Sequence, residues 1–213
     1  MMDIVERELQ APSANFALSV AILGWGSLTY DWHGLSLVEP VTWHENGPSL
    51  PIEFSRISKD RRLTAVIDER NGEWVRTRYA ASALDSIERV IEQLLVRERT
   101  TKKHWIGFVD LRAGTEWSRN SPAIVDHLRR WLQRATFDAV VWTDIPPDFG
   151  ELPFSIGAAV AHFLGLDEAE QAAARNYVAW APREVDTAVR RALKKRGQVD
   201  DIDPQFCGWP PHD

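Results

Sequence analysis

Residues 16–28 read FALSVAILGWGSL, an apolar run that stops at a Gly-Trp-Gly turn. Eight near-continuous apolar residues before Gly24 predict a strand buried on both faces. Working outward, residues 50–57 (LPIEFSRI), 63–68 (LTAVID) and 74–79 (WVRTRY) each partly alternate apolar with polar side chains. Polar turns at 59–62 and at Asn71-Gly72 separate them, so this half of the chain reads as a strand meander. A helix is expected over 83–97, with Ser82 as its N-cap and Asp85 in the acidic capping position. Its apolar positions Leu84, Ile87, Ile91 and Leu94 step by three and four, as one helix face requires. Residues 105–111 (WIGFVDL) return as a strand.

The rest of the chain is mostly helical. Ser121-Pro122 predicts a cap and a proline at the first helical position of a helix to Arg134. Residues 137–143 (FDAVVWT) form a short buried strand, and helices follow over 154–164, 168–180 and 183–195, divided by Gly165 and Pro182. Residues 1–11 read as a frayed arm, and the acidic, proline-rich end from 200 to 213 as an irregular tail. The class is mixed α+β, strands first and helices later.

Composition narrows the function. The chain has 213 residues, so about 150 per domain allows one large domain or one with additions. Its 25 Lys and Arg against 31 Asp and Glu leave a net charge of −6, without the basic stripe that coats duplex nucleic acid. One cysteine, Cys207, permits no internal disulfide, which fits a reducing cytoplasm. No apolar run approaches the roughly 20 residues of a membrane span, and the N-terminus lacks the pattern of a secretory signal. Ten tryptophans predict a rigid aromatic interior or pocket.

Several chemistries are disfavoured by spacing. His33, His44, His104, His127, His162 and His212 lie at no interval that sets two ligands on one face, so no metal is expected. There is no Walker loop, Gly24-Trp25-Gly26 lacks the third glycine of a dinucleotide fingerprint, and no Gly-x-Ser-x-Gly elbow is present. Cys207 has no histidine near it in sequence beyond the tail. Arg61-Arg62 sits in a turn, and Lys194-Lys195-Arg196 closes a helix, where cations complement the macrodipole.

Two features point to chemistry. Glycines at 24 and 26 directly after a strand let backbone amides turn outward toward an anionic group or oxyanion. An ordinary tight turn explains them equally. The second feature is Glu98, four residues beyond Leu94 on the apolar stripe, where a core-facing group is expected. Burial would raise its pKa toward the range of a general acid or base. The alternative is a helix end with Glu98 paired to Arg97, Arg99, Lys102 or Lys103.

Trp25-Gly26-Ser27-Leu28 after an apolar strand resembles the Tyr-Gly-Ser-Leu signature of the γ-glutamylcyclotransferase-like superfamily. Residues 49–55 (SLPIEFS) and 73–79 (EWVRTRY) resemble the strands that follow it. Leu94-Leu95-Val96-Arg97-Glu98 resembles the Leu-x-x-Arg-Glu element of the ChaC-like branch, whose glutamate is the acid/base. The resemblance covers residues 17–111, and Trp142-Thr143-Asp144 falls outside it. Trp25 stands where the family has tyrosine, so no hydroxyl is available there.

The resemblance implies a small, mostly antiparallel β-barrel over residues 1–120, a helical extension over 121–199 packed on it, and the tail 200–213. It implies cyclisation of a γ-glutamyl amine or peptide to 5-oxoproline with no cofactor. Glu98 is then catalytic, and Trp25, Gly26, Ser27, Leu28 and Arg56 bind the substrate. The rival is a non-catalytic member of the same fold that binds a small molecule, or a protein through its helical half. No nucleic-acid or membrane partner is expected.

Overall fold

Alternation along two central strands divides the interior into two cores. The computed structural model describes residues 17–200; Phe16, the N-terminal arm and the tail with Cys207 and His212 lie outside the described residues. In β1 (Val20–Gly24), Ala21 and Leu23 face one core while Val20 and Ile22 face the other. Strand β8 (Ala139–Thr143) does the same with Val140 and Trp142 against Ala139 and Val141. Both strands are buried on two faces, which is why they read as continuous apolar runs.

The larger sheet has five strands in the order β5 (Arg78–Ala81), β1, β8, β6 (Ile106–Asp110), β7 (Thr115–Trp117). β1 and β8 run parallel, and the other pairs are antiparallel. A three-stranded antiparallel sheet follows the order β3 (Leu63–Ile67), β2 (Ser49–Ile57), β4 (Glu73–Arg76). The fold is α+β. Its described strands make two separate sheets, and no closed barrel joins them. Because β8 lies between β1 and β6, the larger sheet draws on both halves of the chain.

The single strand expected over 74–79 is two strands in different sheets. Thr77 turns the corner between them: its N–H and hydroxyl both donate to Pro48 O, at 3.1 and 2.7 Å, leaving the ladder. Gly47 lies so close that a Cβ there would stand 2.5 Å from Thr77 O, so only glycine fits the corner. The smaller sheet closes one core with Leu50, Ile52, Phe54, Leu63, Ala65 and Ile67, together with α2 (Pro122–Leu132), α3 (Ile156–Leu164), α4 (Glu168–Trp180) and α5 (Ala188–Lys195).

The other core lies under α1 (Ile87–Arg97), through Ile87, Val90, Leu94 and Leu95, and under the loop carrying Leu28, Leu35 and Leu37. This helix starts four residues later than the sequence suggests. Ser82 uses its hydroxyl to accept from Leu84 N at 3.0 Å, a local turn that competes with helix initiation, and Ser86 caps the helix instead. Helix α5 likewise starts at Ala188, not near Arg183, behind the cap Thr187. The hairpin strand β7 was not anticipated, since its three residues are all exposed and carry no apolar period.

Two buried ionic side chains lock α4 and α5 in place. Arg190, on α5, donates to the carbonyls of Ala179, Ala181, Pro182 and Val185 at 2.7–3.1 Å, satisfying the end of α4. Glu53, on β2, accepts from Thr187 Oγ1, from Phe54 N and from Val189 N at the start of α5.

Candidate functional site

The turn after β1 is built where the two cores meet. Trp25 plunges into one of them, 4% exposed, and its Nε1 donates to Ala65 O of β3 at 3.1 Å. Leu28 is buried in the other. Between them Gly26 O accepts from Thr29 N (3.1 Å) and Thr29 Oγ1 (2.9 Å), closing a 3₁₀ turn over Ser27–Thr29. Among the described residues no hydrogen bond takes the amide of Gly26, Ser27 or Leu28 as its donor. The first amides of such a turn have no partner within it.

Helix α1 delivers the other half of the site. Glu98 is its C-cap, and the chain leaves through a Schellman arrangement: Thr100 N donates to Leu95 O and Arg99 N to Val96 O, both at 3.0 Å. Arg99 fills the left-handed position at φ 49°, where glycine is usual. This exit sets the carboxyl of Glu98 back against the protein, 22% exposed.

Arg97 joins the two halves. Its Nε and Nη2 donate to Asp31 O at 3.1 and 2.6 Å, Nη2 reaches Ser27 Oγ at 3.2 Å, and Nη1 reaches Glu98 Oε1 at 3.2 Å. One guanidinium therefore touches both Ser27 and Glu98. The carboxyl is part-buried and ion-paired at once. Burial raises its pKa above the ordinary 4.5, and the Arg97 and Arg62 charges only reduce that rise.

Three residues that the sequence reading did not assign complete the cluster. Tyr177, on α4, is 5% exposed, and a Cβ on Gly26 would lie 3.0 Å from its hydroxyl. Arg62, in the turn between β2 and β3, stacks on the Tyr177 ring at 4.7 Å. Tyr30 packs edge-on against Trp180 at 5.6 Å. Burial pushes the Tyr177 phenol from 10.0 up to about 12 and raises that of Tyr30 as well. Two of the chain's three tyrosines thus meet at one site. That scarcity was the available signal, but nothing local tied either tyrosine to Glu98.

Beside them, burial favours the neutral Asp31, yet the hydrogen bond with His33 and the Arg97 charge hold its pKa below 3.8. A cavity of about 460 Å³ opens next along the chain, lined by Trp32, His33, Gly34, Leu35, Glu39 and Val41.

Arg56 is not brought to Glu98 by any contact. It donates to Pro146 O at 2.8 Å and lies over the Trp105 ring at 5.3 Å. Asp144, from the unplaced Trp142-Thr143-Asp144 segment, is buried and accepts from Ser118 Oγ, Arg119 N and Asn120 Nδ2. Those bonds hold the segment after β7 against the end of β8, a structural role. Among the described residues no group of three or more His, Cys, Asp or Glu side chains is placed to hold a metal. No described helix is long and apolar enough to cross a membrane.

Compared with known proteins, the chain matches no family model, no curated protein and no solved structure.

Proposed function

We propose that this protein is a γ-glutamylcyclotransferase-like enzyme that releases 5-oxoproline from a γ-glutamyl amine or peptide. In this reading the two sheets correspond to the barrel of that superfamily. The observation that carries the proposal is the Ser27–Arg97–Glu98 junction: a turn with unused amides and a carboxyl of raised pKa lie on one guanidinium.

The chemistry is intramolecular and balances without water, metal or cofactor. Glu98, as carboxylate, takes a proton from the substrate's α-ammonium. The freed amine attacks the γ-carbonyl carbon, forming the ring C–N bond. The amides of Gly26, Ser27 and Leu28 stabilise the developing oxyanion. Collapse breaks the bond to the leaving amine as Glu98 returns its proton to that nitrogen. Glu98, again a carboxylate, then takes the second proton from the ring nitrogen and passes it to the leaving amine, which departs as an ammonium. Trp25, buried in the core, anchors the turn from below, and Arg97 positions turn and base together. Arg56 has no part in this assignment. The acidic, single-cysteine composition favours a cytoplasmic setting, and the exposed faces of α3 and α4 leave room for a protein partner.

The test is a panel of γ-glutamyl amines and dipeptides assayed for 5-oxoproline, with and without a strong chelator. Release that is abolished in Glu98→Gln supports the reading, and no release from any member of the panel overturns it. A second reading, a non-catalytic binder of the same fold, is favoured by the Arg97–Glu98 ion pair. It predicts ligand-induced stabilisation without product, and equal binding by Glu98→Gln.

A further inference from the structure

The turn between β2 and β3 is held in an unusual state. Only two non-glycine residues among those described have positive φ, Arg61 at 60° and Arg99 at 49°. Each directly adjoins a charged residue of the candidate site, Arg62 and Glu98. A left-handed non-glycine residue persists only where its surroundings over-determine it, and such residues cluster at functional sites.

Ser58 N and Oγ donate to Arg62 O at 2.9 and 2.8 Å, and Arg61 N donates back to Ser58 O at 2.9 Å. The Arg61 guanidinium pairs with Glu170 of α4 at 3.0 Å. His162 Nε2 of α3 lies 2.7 Å from Arg61 O. Helices α3 and α4 thereby clamp the turn, and the clamp sets Arg62 on the Tyr177 ring.

The two guanidiniums of the site differ in what they have left to give. Arg97 is 12% exposed and its nitrogens are committed to Asp31 O, Ser27 Oγ and Glu98. Arg62 is 35% exposed, and its only ion pair among the described residues is with Asp60, a side chain 61% exposed. Exposed pairs of that kind are weak and are readily exchanged for a better acceptor. Its Nε is buried and has no hydrogen-bond partner among the described residues. A planar guanidinium stacked on an aromatic ring is preorganised for a bidentate carboxylate.

We propose that Arg62 is a specificity-determining residue that binds the α-carboxylate of the substrate's γ-glutamyl group. This deepens the functional reading above and rests on it. In an α-amino acid the ammonium and the carboxylate share one carbon, so a base for the first and a cation for the second must sit side by side. Glu98 and Arg62 supply that pair, and the Arg62 charge acts directly on Glu98, Tyr177 and Tyr30. With the carboxylate held by Arg62, the amides of Gly26, Ser27 and Leu28 are left for the oxyanion.

The experiment compares γ-L-glutamyl-p-nitroanilide with 4-aminobutyryl-p-nitroanilide, which lacks only the α-carboxylate. Release of p-nitroaniline and calorimetric binding are measured for the wild type, Arg62→Met and Arg62→Lys, with melting curves confirming that each is folded. The wild type should prefer the glutamyl compound by roughly 10–100-fold in kcat/KM, the range expected of a charge-assisted pair. Arg62→Met should erase that preference through KM, while Arg62→Lys keeps part of it. A preference that survives in Arg62→Met, or an equal loss for both compounds, overturns the assignment and leaves the enzyme reading standing. If neither anilide nor any γ-glutamyl compound is cyclised, the enzyme reading falls. Binding then still decides Arg62: glutamyl-anilide affinity lost in Arg62→Met supports its role as the carboxylate site, and unchanged affinity or no binding by the wild type overturns it.

Discussion

Gly26 faces the Tyr177 hydroxyl at close range: a Cβ at position 26 would stand 3.0 Å from that oxygen, tight enough that one of the two must give. Through this contact a helix near the end of the chain fixes the turn after the first strand. Tyr177 cannot easily retreat, because its ring meets Phe54 edge-on at 6.3 Å and carries Arg62 on its face. Gly26→Ala should therefore lower stability by about 1–3 kcal/mol, the usual cost of overpacking. It should also reduce kcat/KM by at least about tenfold, since the turn must shift. A melting curve and 5-oxoproline assay check both; an alanine variant with wild-type turnover would show that the turn plays no part in catalysis.

Glu98→Gln keeps the shape of the side chain but cannot accept a proton. Turnover should fall on the order of 10²–10⁴. The fold should remain intact or melt higher, because the carboxylate is part-buried and its pairing with Arg97 does not cancel the cost of burial. Near-normal turnover with lower stability would mean that Glu98 serves only to hold Arg97.

The pH dependence follows from the direction of the Glu98 shift. A carboxyl whose folded pKa lies above its unfolded value near 4.5 contributes stability at low pH, and that contribution is lost as pH rises through the folded pKa. The stability advantage of Glu98→Gln should therefore widen as pH rises from about 4.5. In the proposed mechanism the base is the carboxylate, so kcat/KM should fall on acidification with an apparent pKa above 4.5 that is absent in the glutamine variant. Chemical denaturation and rate profiles from acid to neutral pH measure the two effects.

Arg99 occupies the left-handed position that ends α1. Arg99→Gly removes the Cβ penalty of that conformation and should raise stability by about 1 kcal/mol. Substitution by a β-branched residue, Arg99→Val, should lower it and displace Glu98. Unfolding midpoints of the two variants, which should move in opposite directions, test the Schellman exit.

Arg190 is 1% exposed and donates to four carbonyls around the end of α4. Arg190→Met fills much of the space but orphans these acceptors. A loss of about 3 kcal/mol is expected, toward the large end for a single substitution. Because α4 carries Tyr177, the same variant should loosen the candidate site. Hydrogen exchange in residues 168–180 reports this directly; unchanged protection there would disprove it.

Local pattern in the sequence was enough for the elements whose burial repeats along the chain. The doubly buried β1 and β8, the partly alternating β2 and β3, and helices α2 and α4 are all legible, because side-chain periodicity is a one-dimensional record of which face meets the core. The same record placed Glu98 at the end of an apolar stripe and marked the Gly-Trp-Gly turn. What sequence pattern does not carry is which distant groups meet. The split of one alternating run at Thr77 depends on Pro48, the parallel pairing of β1 with β8 on a crossover more than a hundred residues long, and the start of α1 on the rival turn at Ser82. Arg97 reads as one of four cations that could pair with Glu98 until it is seen to join Ser27 to that carboxyl. Arg62 reads as a turn residue until α3 and α4 clamp that turn and set it over Tyr177. Burial preferences are local and survive in the order of residues, whereas the pairing of charges and hydrogen-bond donors is decided only when packing brings remote segments together.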